Sequence, residues 1–219
     1  MYNSYADVLE SYTIAEEGII GNFLKKRAEK KEKKQNDKLY KKYLETMVIP
    51  KIPSKAIELE KKYMLKDLNV LLSKVKGINN DFNKKFGDYV AKLDGIYVFY
   101  DELTELVKDV NKIGSKLSYE DYNTLANATN IMVLRIDMDN WSPYDNDIFE
   151  EIVDFCDAQK AKLQALPFKY ITKISGGMEE AWYDFEIETQ NSSEEFKKAI
   201  NSIESELPFE TWKSNPNLK

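Results

Sequence analysis

Apolar side chains recur at helical spacing along most of this chain. Leu68, Val75, Phe82, Tyr89, Ile96, Leu103 and Val110 stand seven apart without a miss. Leu71, Ile78, Phe99, Leu106 and Ile113 flank them at +3, and Leu72, Phe86, Leu93, Tyr100 and Val107 at +4. A stripe two or three positions wide predicts a bundle or coiled-coil surface rather than an isolated surface helix. Pro50 and Pro53 precede the segment, and Ser54 can cap it through its hydroxyl. Gly77-Ile78-Asn79-Asn80-Asp81 has turn-like composition, but a turn would reset the helical phase, and the phase runs through it. The pattern therefore favours one helix from Ser54 to Ile113, bent near Gly77, over a hairpin. At about 1.5 Å per residue it would be about 90 Å long.

Upstream, Tyr5, Leu9, Tyr12, Ile19 and Phe23 mark one helical face, weakened by Gly18 and Gly21. An almost wholly polar run starts at Lys25, and apolar positions return at Leu39, Tyr40, Tyr43, Leu44 and Met47. Downstream, Gly114 is placed to end the long helix. Ser118-Tyr119-Glu120-Asp121 reads as the cap of a helix carrying Tyr122, Leu125, Thr129, Met132 and Val133 to about Arg135. Residues 137–147 form a loop by composition. Ile148, Ile152, Phe155, Cys156, Leu163 and Leu166 make the next helical stripe, stopped by Pro167. Ile171, Ile174, Met178, Trp182 and Phe185 make another, split at Gly176-Gly177. Ser192-Ser193-Glu194-Glu195 opens a short helix holding Phe196, Ile200, Ile203 and Leu207, and the tail from Pro208 is loosely held.

Tyr170-Ile171-Thr172-Lys173-Ile174 is the best strand candidate, set aside because no second strand is evident to pair with it. The predicted fold is all-α. It has a long coiled-coil-like helix or helical hairpin arm over 1–115, a C-terminal helical bundle over 116–207, and a tail over 208–219. With 8 Gly and 6 Pro in 219 residues, the chain is poor in the turns an all-β fold needs.

Composition removes most catalytic chemistry. Histidine is absent and Cys156 is the single cysteine. Ser-His-Asp and Cys-His pairs, imidazole zinc sites and all-cysteine zinc sites are excluded. Carboxylate chemistry with a hard divalent ion survives. A lone cysteine argues against a disulfide framework and for a reducing compartment, here the cytoplasm. Met1 to Asp7 shows no basic region followed by an apolar one, so no signal peptide is expected, and no apolar run is long enough for a membrane span.

Charge is strongly segregated. Between Lys25 and Lys42 stand ten bases and three acids, a balance of +7 in a chain of net −6. The bases are Lys25, Lys26, Arg27, Lys30, Lys31, Lys33, Lys34, Lys38, Lys41 and Lys42. The opposite pole is 135–159, where Arg135 faces Asp137, Asp139, Asp145, Asp147, Glu150, Glu151, Asp154 and Asp157. Each pole has a bland reading as a solvated face. The basic run can also hold phosphates of nucleic acid or an anionic membrane, although Tyr40 is its only aromatic for stacking. Alternatively, the poles can pair with each other, within one chain or between subunits. Trp141 and Tyr144 flank Pro143 in the acidic loop and are candidate interface anchors beside the acids.

No calcium loop fits. Asp137-x-Asp139 places Trp141 and Ser142 where a ligand and the turn glycine belong. Glu102-x-x-Glu105 and Glu151-x-x-Asp154 loosely imitate the magnesium-binding helices of an all-α nucleotide pyrophosphohydrolase, but such pairs arise easily among 38 acids. Cys156 lies on an apolar stripe and reads as an inert buried thiol.

The expected function is non-catalytic. The sequence reads as an intracellular helical interaction module that binds another protein, with no cofactor or metal. Its interface candidates are Trp141, Tyr144 and the acids from Asp137 to Asp154, with homo-oligomerisation through the 64–110 stripe as a further option. Small size, composition and lack of motifs suggest a phage or mobile-element origin. Nucleic-acid or membrane-surface binding through 25–42 and magnesium-dependent hydrolysis are the alternatives. With no histidine to titrate, binding is expected to vary little between about pH 6 and 8.

Overall fold

A computed structural model describes residues 25–87, 94–126, 130–137, 146–179 and 182–213. The protein is mostly helical, roughly as expected, with the addition of a small three-stranded antiparallel sheet. Helix α1 covers residues 25–43. It is followed by α2 (Ser54–Phe86), α3 (Asp94–Lys112), α4 (Tyr119–Ala126), β1 (Asn130–Asp137), α5 (Asn146–Gln164), β2 (Ile171–Glu179), β3 (Trp182–Thr189), α6 (Glu194–Glu206) and α7 (Phe209–Lys213). The chain divides into two compact units. One is 48–206; the other joins residues up to 47 to those from 207 onward.

In the larger unit α2 is the spine. Its 33 residues span about 50 Å. Ser54 is its first helical residue rather than its side-chain cap; the Pro53 carbonyl accepts the amides of Ala56 and Ile57 instead. Much of the described apolar stripe is buried. Leu68, Leu71, Val75 and Phe82 are fully buried on α2, as is Val110 on α3, with Phe99 and Leu103 nearly so. Burying each such side chain stabilises the fold by about 1.5–3 kcal/mol. Tyr89 and Leu93 lie outside the described residues.

One continuous helix from Ser54 to Ile113 is not what forms. Lys61 Nζ near the start of α2 donates to the carbonyls of Asn111 (2.8 Å) and Ile113 (2.6 Å) at the end of α3. Fifty residues of straight helix would hold these groups about 75 Å apart. The chain therefore turns back between Phe86 and Asp94, and α2 and α3 are the two limbs of an antiparallel hairpin. Gly77, the expected bend, lies inside α2. Sustained phase misled because both limbs line one core and so repeat the same apolar period. Lys61 also satisfies orphan carbonyls at the end of α3, the role expected of Gly114, which lacks a positive φ.

The sheet has the order β1-β3-β2. Its inner face carries Leu134 and Ile136, then Tyr183, Phe185 and Ile187, and Ile174, all buried. Its outer face carries polar cross-strand neighbours: Arg135 beside Asp184, Ser175 beside Glu186, and Lys173 bonded to Glu188 at 2.7 Å. The helix expected to run to Arg135 thus stops at Ala126 and gives way to β1. The stripe expected from Ile171 to Phe185 is a β-hairpin. An irregularity between Ile171 and Lys173 shifts the strand phase, so Ile171 and Ile174 both turn inward at a spacing of three. That spacing imitates one face of a helix.

Gly176 is the hairpin's special position, not a helix break. Its φ is 126°, and a Cβ there would sit 1.9 Å from the Asp184 carbonyl oxygen. Only glycine fits such a close approach at positive φ.

Capping follows the sequence more closely. The amide of Asp121 donates to Ser118 Oγ and the amide of Ser118 to Asp121 Oδ2, both at 3.0 Å, opening α4 with a reciprocal box. Ser193 Oγ accepts the Phe196 amide at 3.2 Å at the start of α6.

In the smaller unit, Tyr40, Tyr43 and Phe209 form a ring cluster, with Tyr40 edge-on to Phe209 at 5.1 Å between centroids. The Tyr43 hydroxyl donates to the Leu207 carbonyl. Residues 209–213, expected as loose tail, thus form a helix anchored through Phe209.

Candidate functional site

The basic run folds as helix α1. Residues 25–35 are exposed without exception, around three full turns. Such a helix has no apolar face to bury. With 3.6 residues per turn, Arg27, Lys31, Lys34, Lys38 and Lys41 fall within an arc of about 80°. Glu29 and Glu32 fall on the opposite side of the same cylinder. The stripe runs about 21 Å along the axis. Lys41 at its base pairs with Glu45 at 3.8 Å. Arg27, Lys31, Lys34 and Lys38 have no ion pair among the described residues. Lys30 and, farther round, Lys26 widen the cationic face, while Lys25 and Lys33 fall towards the side of Glu29 and Glu32; all four are exposed.

The acidic pole is only partly assembled. Trp141, Tyr144, Asp139 and Asp145 lie outside the described residues. Asp137 ends β1 and Asp147 sits in the first turn of α5. Glu150, Glu151 and Asp154 are exposed on α5, where Glu151 is drawn into a 3.2 Å ion pair with Lys85 of α2. Among the described residues no three of His, Cys, Asp and Glu gather where they could hold a metal ion. Glu102, Glu105, Glu151 and Asp154 are therefore not joined into one ligand set. Among the described residues, Leu68, Leu71, Val75, Phe82, Leu103 and Val110 of the apolar stripe are buried. Tyr40, at 38% exposure, is the one exposed large hydrophobic among the described residues.

Several charged groups that the sequence reading passed over are built into the interior. Asp67 Oδ2 accepts the amides of Lys169 (2.5 Å), Tyr170 (2.5 Å) and Ile171 (3.2 Å), tying the start of β2 to α2. Glu60, fully buried one heptad earlier, accepts the amides of Ser192 (3.0 Å) and Ser193 (2.6 Å) ahead of α6. Burial raises the Glu60 carboxyl pKa, and the hydrogen bonds from Ser192 and Ser193 oppose that shift only in part. A visible signal existed: Ile57, Glu60, Met64, Asp67 and Leu71 alternate spacings of three and four, so two acids stand inside a core-facing stripe.

A second cluster fastens α5 to the sheet. The Tyr183 hydroxyl donates to Asp157 Oδ1 at 2.5 Å, and Lys160 Nζ donates to the same oxygen at 2.7 Å and to the Gly176 carbonyl at 3.0 Å. Burial pushes the Tyr183 phenol up to about 12, and the Lys160 hydrogen bond lowers the Asp157 carboxyl pKa. At neutral pH each group keeps its ordinary protonation state, so the cluster works as a fastening and not as an acid–base pair. Cys156 beside it is fully buried, and burial pushes its thiol up to about 12, far from a reactive thiolate.

Two open clefts of about 300 Å³ flank α5, one against β2 and the other against α2 at Ser73, Lys74, Gly77 and Asp81. Neither is lined by Glu60, Cys156, Asp157 or Tyr183. Glu60 and Asp67 are thus engaged in hydrogen bonds that hold the fold together, and the most strongly charged surface among the described residues is the cationic face of α1. No protein-family model, curated protein sequence or solved structure matches this chain.

Proposed function

We propose that this chain is a non-catalytic binding protein that holds an anionic partner through the cationic face of α1. One observation carries the reading: every residue from 25 to 35 is exposed, and Arg27, Lys31, Lys34 and Lys38 fall on one side of the helix. Holding that many like charges together in a helix is unfavourable in isolation, and an opposite surface relieves it. The acidic remainder of the chain, −13 once the run is removed, keeps the same partner away from the larger unit.

The exposed acids Glu150 and Asp154 of α5, which have no partner among the described residues, form a second and smaller surface for a basic protein. Cytoplasmic placement belongs to the same proposal and rests on Cys156 being a buried thiol instead of half a disulfide.

Retention on an immobilised sulfated polysaccharide tests the reading. The native chain is expected to bind at low salt and elute as salt rises, and a variant with Arg27, Lys31, Lys34 and Lys38 changed to Glu is expected to flow through. Equal retention of the two would overturn it.

A further inference from the structure

We infer that the partner of α1 is the phosphate backbone of a nucleic-acid duplex, contacted without reading the base sequence. The inference rests on the binding role proposed for α1 and adds the identity of its ligand. Between Lys25 and Lys38 the only apolar side chain is Ala28. A helix that lies in a membrane surface needs an apolar face of Trp, Phe or Leu to embed, and residues 25–38 of α1 have none. A protein partner is a poor fit as well. Interface cores are enriched in aromatics, Met and Arg and depleted in Lys, whereas this face is lysine with the single arginine Arg27. Nucleic-acid interfaces are the polar, strongly positive class.

Duplex is favoured over single strand by the missing stacking platform. Tyr40, the one aromatic in the run, is already packed against Tyr43 and Phe209. The dimensions agree. A duplex carries one negative charge per about 1.7 Å of axis, so a stripe about 21 Å long spans a stretch with on the order of a dozen phosphate charges, about six on each strand. Lysine provides compact, mobile point charges suited to phosphates, and within the stripe only Arg27 has a planar fork of the kind that reads base edges.

The test is fluorescence anisotropy of the full chain with three labelled probes: a 20-base-pair mixed-sequence DNA duplex, an oligothymidylate of equal length, and vesicles containing phosphatidylserine. The duplex is expected to bind most tightly and to tolerate sequence scrambling. Four stripe contacts predict a slope of about −3.6 in log affinity against log salt, about a 150-fold loss between 50 and 200 mM. Lys34→Gln should reduce the slope by about 0.9, with the melting temperature unchanged. Stronger binding to the oligothymidylate or to vesicles would overturn the inference, as would a slope near zero. Loss of duplex binding alongside retention on the sulfated polysaccharide would overturn the inference and leave the anionic-partner reading standing. Failure with every polyanion would overturn both.

Discussion

Two glycines set the limits of what single side chains do here. Gly176 has φ 126° and an Asp184 carbonyl where its Cβ would lie. Gly176→Ala is expected to destabilise the protein by at least about 2 kcal/mol, seen as a lower midpoint in urea. Gly77 sits inside α2, and a methyl group projecting from it would meet nothing within 4 Å. Gly77→Ala is expected to stabilise by about 0.5–1 kcal/mol, and a lower melting temperature would contradict the open environment.

Alkaline titration probes the buried thiol and phenol. Both folded pKa values lie near 12, against ordinary values of 9.0 for Cys156 and 10.0 for Tyr183. Their contribution is fully present below pH 9 and is lost as pH rises through 12, because the unfolded chain releases these protons first. The slope attributable to Cys156 is at most about 1.4 kcal/mol per pH unit. Cys156→Ala should flatten the fall that begins near pH 9, and Tyr183→Phe the part that begins near pH 10. An unaltered pH profile in both variants would show that neither group is buried as described.

Among the elements, α2 carries most of the architecture, and two of its buried residues are acids. Removing Asp67 as Asp67→Ala orphans three amides at the entry to β2 and is expected to cost about 2–4 kcal/mol, measured by chemical unfolding. Arg135→Ala strips the paired partner from Asp184, which is 7% exposed, and should cost about 1–3 kcal/mol. Helices and caps were legible in the sequence wherever one face meets one core, as at Ser118 and along Leu68 to Phe82. Strand β3 was legible too: Tyr183, Phe185 and Ile187 point inward between Asp184, Glu186 and Glu188. It was missed because the irregularity in β2 placed Ile171, Ile174 and Met178 at helical spacing and extended that period into its neighbour. The return of the chain after Phe86 left no mark in the apolar phase.

For the molecule as a whole, charge divides the labour. The larger unit uses Glu60, Asp67 and Asp184 as internal fastenings and Asp157 as a surface one, and the contacts to Ser192, Tyr170, Arg135 and Tyr183 are long-range partners that no local pattern displays. The cationic run, by contrast, was plain from composition; its one-sided arrangement follows from helical geometry once α1 is known to be a helix. The most direct measurement is lysine acetylation footprinting of the full chain, with and without a saturating polyanion. Lys31, Lys34 and Lys38 are predicted to lose reactivity on binding, while Lys74 and Lys162 of the larger unit keep theirs. Protection of Lys74 and Lys162 with α1 left reactive would contradict the assignment of α1 as the binding surface.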